Sequence, residues 1–217
     1  MDPDYQAAQI KNLITKGVLY GITDLNFRFD THLECAQELI LAGVRLIQYR
    51  GKGLDLGQQK RELEVLVPWA QGRGCWVIVN DQIDLAFEVG ANGVHLGQGD
   101  SSVSEARAKL GPNRVIGLST HHLVQVKQAE LSGADYIGVG PAYPTATKPL
   151  EPVVGLGFLQ AAAQGSHLPQ VAIGGISEAR IPEVLGTGQT TVAIISDLLG
   201  SALLSEKVDR IHGQLSP

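Results

Sequence analysis

The chain has 217 residues, 44% hydrophobic and 18% charged, a balance that excludes a disordered polymer and allows one large, well-buried domain. Its formal net charge of −5, from 22 acidic against 17 basic residues, argues against an electrostatic nucleic-acid binder. Cys35 and Cys75 are too few for a disulfide framework and wrongly spaced for a zinc site. The opening MDPDYQAAQIKNL has no signal-peptide pattern, and no apolar run approaches a membrane span, so a soluble cytoplasmic protein with no membrane or nucleic-acid partner is expected. A helix over about Tyr5–Lys16 is predicted next. Short apolar runs follow at Val18–Ile22, Val44–Ile47, Cys75–Val79, Gly93–Leu96, Val115–Leu118, Tyr136–Val139, Gln170–Ile173 and Val192–Ile195. Most are continuous rather than alternating, the pattern of strands covered on both faces in a parallel sheet.

Helical segments lie between these runs. Thr31–Glu34 and Ser102–Glu105 read S/T-x-x-E, a capping box that satisfies the free amides of a first helical turn. Ser177 stands where it can cap the segment after the seventh run. Gly43, Gly90, Gly111, Gly133 and Gly188 each follow a helical stretch, where a left-handed turn favours glycine. Eight strand–helix units in one chain predict an α/β fold, a single (β/α)8 TIM barrel domain over 1–217. Residues 1–16 are expected to be an extra N-terminal helical extension that covers the barrel's N-terminal end, with 17–213 as the barrel. A doubly wound open sheet is the alternative, but the first run ends in Ile22-Thr23-Asp24 with no G-x-G-x-x-G.

In such a barrel the chemistry gathers at the C-terminal ends of the strands. Every run here ends in polar residues or glycine. After the second come Gln48, Arg50 and Lys52, which strand alternation points to one side, an amide and two cations suited to an oxyanion. Lys148, in a proline-rich loop with Thr145 and Thr147, adds a third cation. Asp81 and Asp100 follow runs three and four; each alone reads as a helix N-cap. Together, opposite cations, they suit Mg²⁺ bound with a diphosphate. Gly174-Gly175 after run seven and Ile195-Ser196 after run eight suit a monophosphate held by backbone amides. The rim therefore reads as two anion subsites.

Gln48–Lys52, Asn80–Ala86, Gly93–Asp100, Gly117–His121, Gly140–Lys148 and Ala172–Ile176 together resemble the thiamine-phosphate synthase (thiamine phosphate pyrophosphorylase) family, over about Tyr20 to Asp197. The resemblance implies transfer of an aminopyrimidinylmethyl group from its diphosphate to 4-methyl-5-(2-phosphoethyl)thiazole or its carboxylated form. It implies a dissociative reaction in which diphosphate leaves first. Gln48, Arg50, Lys52, Asn80, Ser119 and Lys148 would bind the pyrimidine diphosphate. Of these, Arg50, Lys52, Lys148 and Ser119 would be catalytic. Asp81 and Asp100 would hold one Mg²⁺; Thr145, Thr147, Gly175, Ile195 and Ser196 would contact the thiazole phosphate. His95 reads as a hydrogen-bonded core residue, and His121 as either a site-lining residue or a helix start. The sequence departs from the family pattern at Gly51, Arg180 and Gln189–Thr191. A thiazole tautomerase of the same barrel and a non-catalytic phosphate-ligand sensor are the competing readings; the former would not need Gln48, Lys52, Asn80, Asp81 and Lys148 together.

Overall fold

The computed structural model describes residues 3–145, 147 and 151–215, the side chains of 3–5 excepted. In chain order the elements are α1 (Pro3–Lys16), β1 (Leu19–Ile22), α2 (His32–Leu41), β2 (Leu46–Tyr49), α3 (Leu56–Gln71), β3 (Trp76–Asn80), α4 (Ile83–Glu88) and β4 (Gly93–Leu96). There follow α5 (Val103–Leu110), β5 (Val115–Thr120), α6 (Leu123–Ser132), β6 (Tyr136–Val139), α7 (Gly155–Gly165), β7 (Gln170–Ala172), a 3₁₀ turn (Glu178–Arg180), α8 (Ile181–Leu185), β8 (Thr191–Ile194), α9 (Ser196–Leu199) and α10 (Leu204–Leu215). The strands close into a barrel in sequence order, every pair parallel, with β1 joined to β8 through Leu19↔Val192 and Gly21↔Ile194. The predicted barrel is the observed one.

Apolar residues on both faces of the strands build two cores. Val77, Val79, Val94, Ile116, Ile137 and Val192 pack outward under the helices. Tyr20, Ile22, Leu46, Ile78, Val115, Tyr136, Val171 and Ala193 fill the interior, which Ile10 and Ile14 of α1 close from the N-terminal end. Helix α1 is tied there by polar bonds: Thr191 Oγ1 donates to the Ile14 carbonyl at 2.7 Å and accepts from Val18 N–H at 3.0 Å. With one end plugged by side chains, the other end is left as the mouth.

Local details differ from the sequence reading. Strand β2 starts at Leu46, where the ladders to Tyr20 and Trp76 begin, and runs on through Gln48 to Tyr49. Ser102 and Glu105 form the complete capping box, whereas the Thr31–Glu34 pair is only half formed, because Glu34 Oε2 accepts from Asp30 N–H instead. A second complete box, Asp55 with Gln58, opens α3. Ser177 occupies the cap position without a side-chain cap bond. The glycines after the helices, Gly43, Gly90, Gly111, Gly133 and Gly188, all take positive φ as expected.

Candidate active site

A cavity of about 270 Å³ opens at the C-terminal mouth. Strand alternation aims Gln48, Asn80, His95 and Ser119 inward from the ends of β2 to β5, where the apolar interior gives way to polar groups. Arg50 enters from the turn after β2, and Thr145 and Thr147 come from the loop after β6. Gly175 follows β7, and Ile195 and Ser196 follow β8. These residues, separated by up to 148 positions, line one space.

Across the cavity floor runs a continuous polar chain. Gln48 Nε2 donates to the Tyr20 hydroxyl at 3.3 Å, which lies 3.0 Å from the Tyr136 hydroxyl. Tyr136 in turn lies 3.0 Å from His95 Nδ1, and His95 Nε2 is 2.9 Å from Ser119 Oγ. The links can be satisfied in either direction; in one order Tyr20 donates to Tyr136, Tyr136 to His95 Nδ1, and His95 Nε2–H to Ser119, whose own proton then points onward. Burial pushes both phenols well above their usual range, so they remain protonated. His95 is thus both the hydrogen-bonded core histidine expected and a residue of the cavity wall. Gly117 makes room for it, since a Cβ there would lie 2.2 Å from Tyr136 Cζ and 2.5 Å from His95 Nδ1.

The Arg50 side is held from behind. Asp24, nearly fully buried, accepts from Arg50 Nη1 at 3.2 Å and from Asn26 through its other oxygen. Thr23 Oγ1 accepts the Arg50 amide at 2.9 Å and bonds His32 Nδ1 at 3.0 Å, while His32 Nε2 faces the Lys52 carbonyl at 3.4 Å. The Lys52 carbonyl can only accept, so the histidine proton sits on Nε2, and Nδ1 accepts the Thr23 hydroxyl proton. Burial first, and the Arg50 charge as a lesser cause, pull the His32 pKa below its ordinary value, against a backbone bond and nearby carboxylates that raise it.

Three predicted residues lie outside the cavity wall. Alternation along β2 does not carry Lys52 inward: the strand ends at Tyr49, and the Lys52 amide folds back onto the Arg50 carbonyl at 2.7 Å, leaving its side chain exposed. Asp81 and Asp100 do not line it either. Neither is a helix cap, because Gln82 and Ser102 occupy those positions. Asp81 is the one non-glycine among the described residues with positive φ, 63°, a conformation tolerated best by Asp and Asn. Its amide extends the β3 ladder to the His95 carbonyl at 2.9 Å, and Oδ2 accepts from Asn80 Nδ2 at 2.5 Å. Asp100 Oδ2 accepts from the Gly97 amide at 2.7 Å in the turn after β4. Asp81 and Asp100 follow the neighbouring strands β3 and β4, and each offers a carboxylate, the hard oxygen donor that Mg²⁺ takes alongside substrate and water oxygens. Lys148 lies outside the described residues.

The structure also reveals wall residues that sequence reasoning did not select, Tyr20, Ile22, Ile173 and Glu151, and it places Asp197, which follows the eighth run at the rim, in the same wall. Tyr20 carried a usable signal, being two residues before the end of the first run and so on its inward face. Of the departures, Arg180 stacks its guanidinium 4.2 Å over the Tyr143 ring and donates to the Gly175 carbonyl at 2.7 Å, joining the loops after β6 and β7. His121 donates from Nδ1 to the Gly140 carbonyl at 2.7 Å and lines the mouth.

A closed (β/α)8 barrel with one plugged end and a glycine-, arginine- and amide-lined mouth at the C-terminal ends of its strands defines the class: a TIM-barrel protein whose open end carries the candidate site. Comparison with known proteins narrows this. The family model described as thiamine monophosphate synthase matches residues 19–198. Relatives include the thiamine-phosphate synthase of Pelotomaculum thermopropionicum, 38% identical over 91% of this chain and 92% of that protein. That of Halalkalibacterium halodurans is 40% identical over 84% and 88%. Among solved structures, thiamine phosphate pyrophosphorylase from Pyrococcus furiosus superposes with a TM-score of 0.84 at 31% identity, covering 94% of this chain and 98% of that one. A 3-hexulose-6-phosphate synthase, TM-score 0.65 at 18% identity, shares the fold alone. The chain belongs to the thiamine monophosphate synthase family and is a transferase of thiamine biosynthesis.

No helix among the described residues is long and apolar enough to cross a membrane.

Proposed function

We propose that this chain transfers the 4-amino-2-methylpyrimidin-5-ylmethyl group from its diphosphate to 4-methyl-5-(2-phosphoethyl)thiazole, or its carboxylated form, releasing diphosphate and, from the carboxylated form, CO₂ as well. The observation that carries this reading is that one cavity is lined both by Gln48, Arg50, Asn80 and Ser119 and by Thr145, Thr147, Gly175, Ile195 and Ser196. That arrangement supports two anionic substrates bound in one space. Gln48, Arg50, Lys52, Asn80, Ser119 and Lys148 bind the pyrimidine diphosphate in this reading, with Arg50, Lys52, Lys148 and Ser119 acting on the reaction itself. Thr145, Thr147, Gly175, Ile195 and Ser196 hold the thiazole phosphate. Asp81 and Asp100 are the residues for one Mg²⁺, which when bound neutralises leaving-group charge. The protein works in the cytoplasm.

The residues act by placement and charge. Asp24 fixes one face of the Arg50 guanidinium, so its remaining donors are oriented before substrate arrives. In this reading His95 carries its proton on Nε2 and donates it to Ser119 Oγ, which leaves the Ser119 hydroxyl proton for an oxygen of the bound diphosphate. As the C–O bond to diphosphate breaks, the bonding electrons leave with the diphosphate and the amino group of the ring stabilises the resulting pyrimidinylmethyl cation. The lone pair of the thiazole nitrogen then forms the new C–N bond. No general base is needed for that attack, and holding the thiazole in line is the protein's second task.

The test is a discontinuous assay with both substrates and Mg²⁺, an EDTA control, and oxidation of the product to fluorescent thiochrome. Metal-dependent thiamine phosphate is the expected result. Absence of product with both ligands bound would overturn this reading in favour of a sensor or a tautomerase.

A further inference from the structure

The phosphate end of the cavity contains an acidic residue with no part in the reading above. Asp197 follows Ile195 and Ser196 directly and lines the same wall. A carboxylate beside an incoming phosphate opposes its binding by like charge. Here, however, both carboxylate oxygens are engaged. Oδ1 lies 2.8 Å from Lys207 Nζ, and Oδ2 accepts the Glu178 amide at 2.8 Å, which ties the start of α9, just after β8, to the 3₁₀ turn after β7. The Lys207 side chain is only 12% exposed, although it comes from α10, beyond the last strand. Three residues on, Arg210 makes a two-point pair with Glu178 at 2.7 and 3.1 Å, and neither of these lines the cavity. One helix therefore presents one cation to a residue inside the mouth and another to a residue outside it.

We propose that Lys207 is a positioning residue for the phosphate subsite: by neutralising Asp197, it lets that carboxylate brace the two phosphate loops without repelling the phosphate. This inference rests on the assignment of the thiazole phosphate to Gly175, Ile195 and Ser196. The competing role for Lys207, a tether holding α10 to the barrel, gives a different mutational pattern, because Arg210 tethers the same helix.

The experiment measures binding of 4-methyl-5-(2-phosphoethyl)thiazole by calorimetry, with KM for each substrate and a melting curve for every variant. Lys207→Met is expected to raise Kd and KM for the thiazole about tenfold, as one uncompensated like charge does near a half-exposed site. KM for the pyrimidine diphosphate stays unchanged. Asp197→Asn keeps an oxygen for the Glu178 amide but removes the charge, so the double variant returns Kd to within about threefold of the parent. Arg210→Gln leaves Kd unchanged. Unchanged Kd in Lys207→Met, a loss that Asp197→Asn does not rescue, or an equal loss in Arg210→Gln would each overturn the inference. Should Lys207→Met fail to fold, Asp197→Asn alone decides, since Lys207 is then unopposed: tighter thiazole binding supports the inference, and unchanged or weaker binding overturns it. If the unaltered protein itself does not bind the thiazole, the assignment of the subsite has failed. If it binds and the variants do not differ, only the role of Lys207 has failed.

Discussion

Gly175→Ala tests the mouth by steric means. Gly175 has φ of 62°, and a Cβ built there would lie 2.3 Å from the Pro144 carbonyl oxygen, 2.9 Å from Tyr143 Cβ and 3.0 Å from the Tyr143 carbonyl oxygen. Two of these three atoms are backbone, so no side-chain rotation relieves the contact; the loop after β6 must move. The left-handed conformation alone costs an alanine roughly 1–2 kcal/mol. Displacing packed backbone adds about 1–3 kcal/mol. Gly133→Ala isolates the first cost, because Gly133 has φ of 80° at the end of α6 and a Cβ added there would meet nothing within 4 Å. For a domain of this size each kcal/mol lowers Tm by roughly 2–4 °C, so Gly133→Ala should lose about 2–8 °C and Gly175→Ala about 4–20 °C. The loop that moves carries Thr145 and Thr147, so KM for the thiazole phosphate should rise in Gly175→Ala while remaining unchanged in Gly133→Ala. Differential scanning fluorimetry and steady-state kinetics on both variants measure these effects. Equal melting temperatures together with an unchanged KM would refute the steric reasoning.

Further outcomes follow from the Arg50 side and the metal residues. Arg50→Ala and Lys148→Ala should each lower kcat by orders of magnitude. Arg50→Ala also leaves Asp24 buried without its cation, at a cost of about 3 kcal/mol, so adding Asp24→Asn should recover Tm but not kcat; recovery of both would show that Arg50 only serves stability. Asp81→Asn, which the left-handed backbone accepts, should raise the Mg²⁺ concentration needed for half-maximal rate more than it raises KM for the thiazole phosphate, and an unchanged metal titration would remove Asp81 from that role. His32 is held below its ordinary pKa chiefly by burial, so the unfolded chain takes up a proton first as pH falls. Its contribution to stability is therefore present above the ordinary histidine value and is lost as pH falls through it. Melting temperature should drop between pH 7.5 and 5.5, with a shallower slope in His32→Asn. Parallel slopes would place the titration elsewhere, His212 being a second histidine whose pKa burial lowers.

The alternation of apolar runs with helical segments was enough to specify eight strands, their parallel order and the end at which polar residues gather. This is because a strand buried on both faces must be continuously apolar, while its solvent-facing end cannot be. The same logic carried Gln48, Asn80 and Ser119 to one wall. Alternation failed at Lys52, two residues beyond Arg50 by spacing, because the hydrogen-bond ladder that enforces it stops at Tyr49. It also failed to separate Asp81 from a helix cap, since a cap and a strand-end carboxylate have the same local sequence and differ only in backbone torsion.

The local sequence determined periodicity, turn chemistry and the identity of the charges at the rim. Only closure of the barrel decided which of those charges face one another. Tyr20 meets Tyr136 across 116 residues, Arg50 is paired with Asp24, and Asp197 meets Lys207 of α10. None of these pairings has a sequence spacing that could announce it. Each arises because burial in a shared interior makes an unpaired polar group costly, so partners are chosen by where the folded strands bring them.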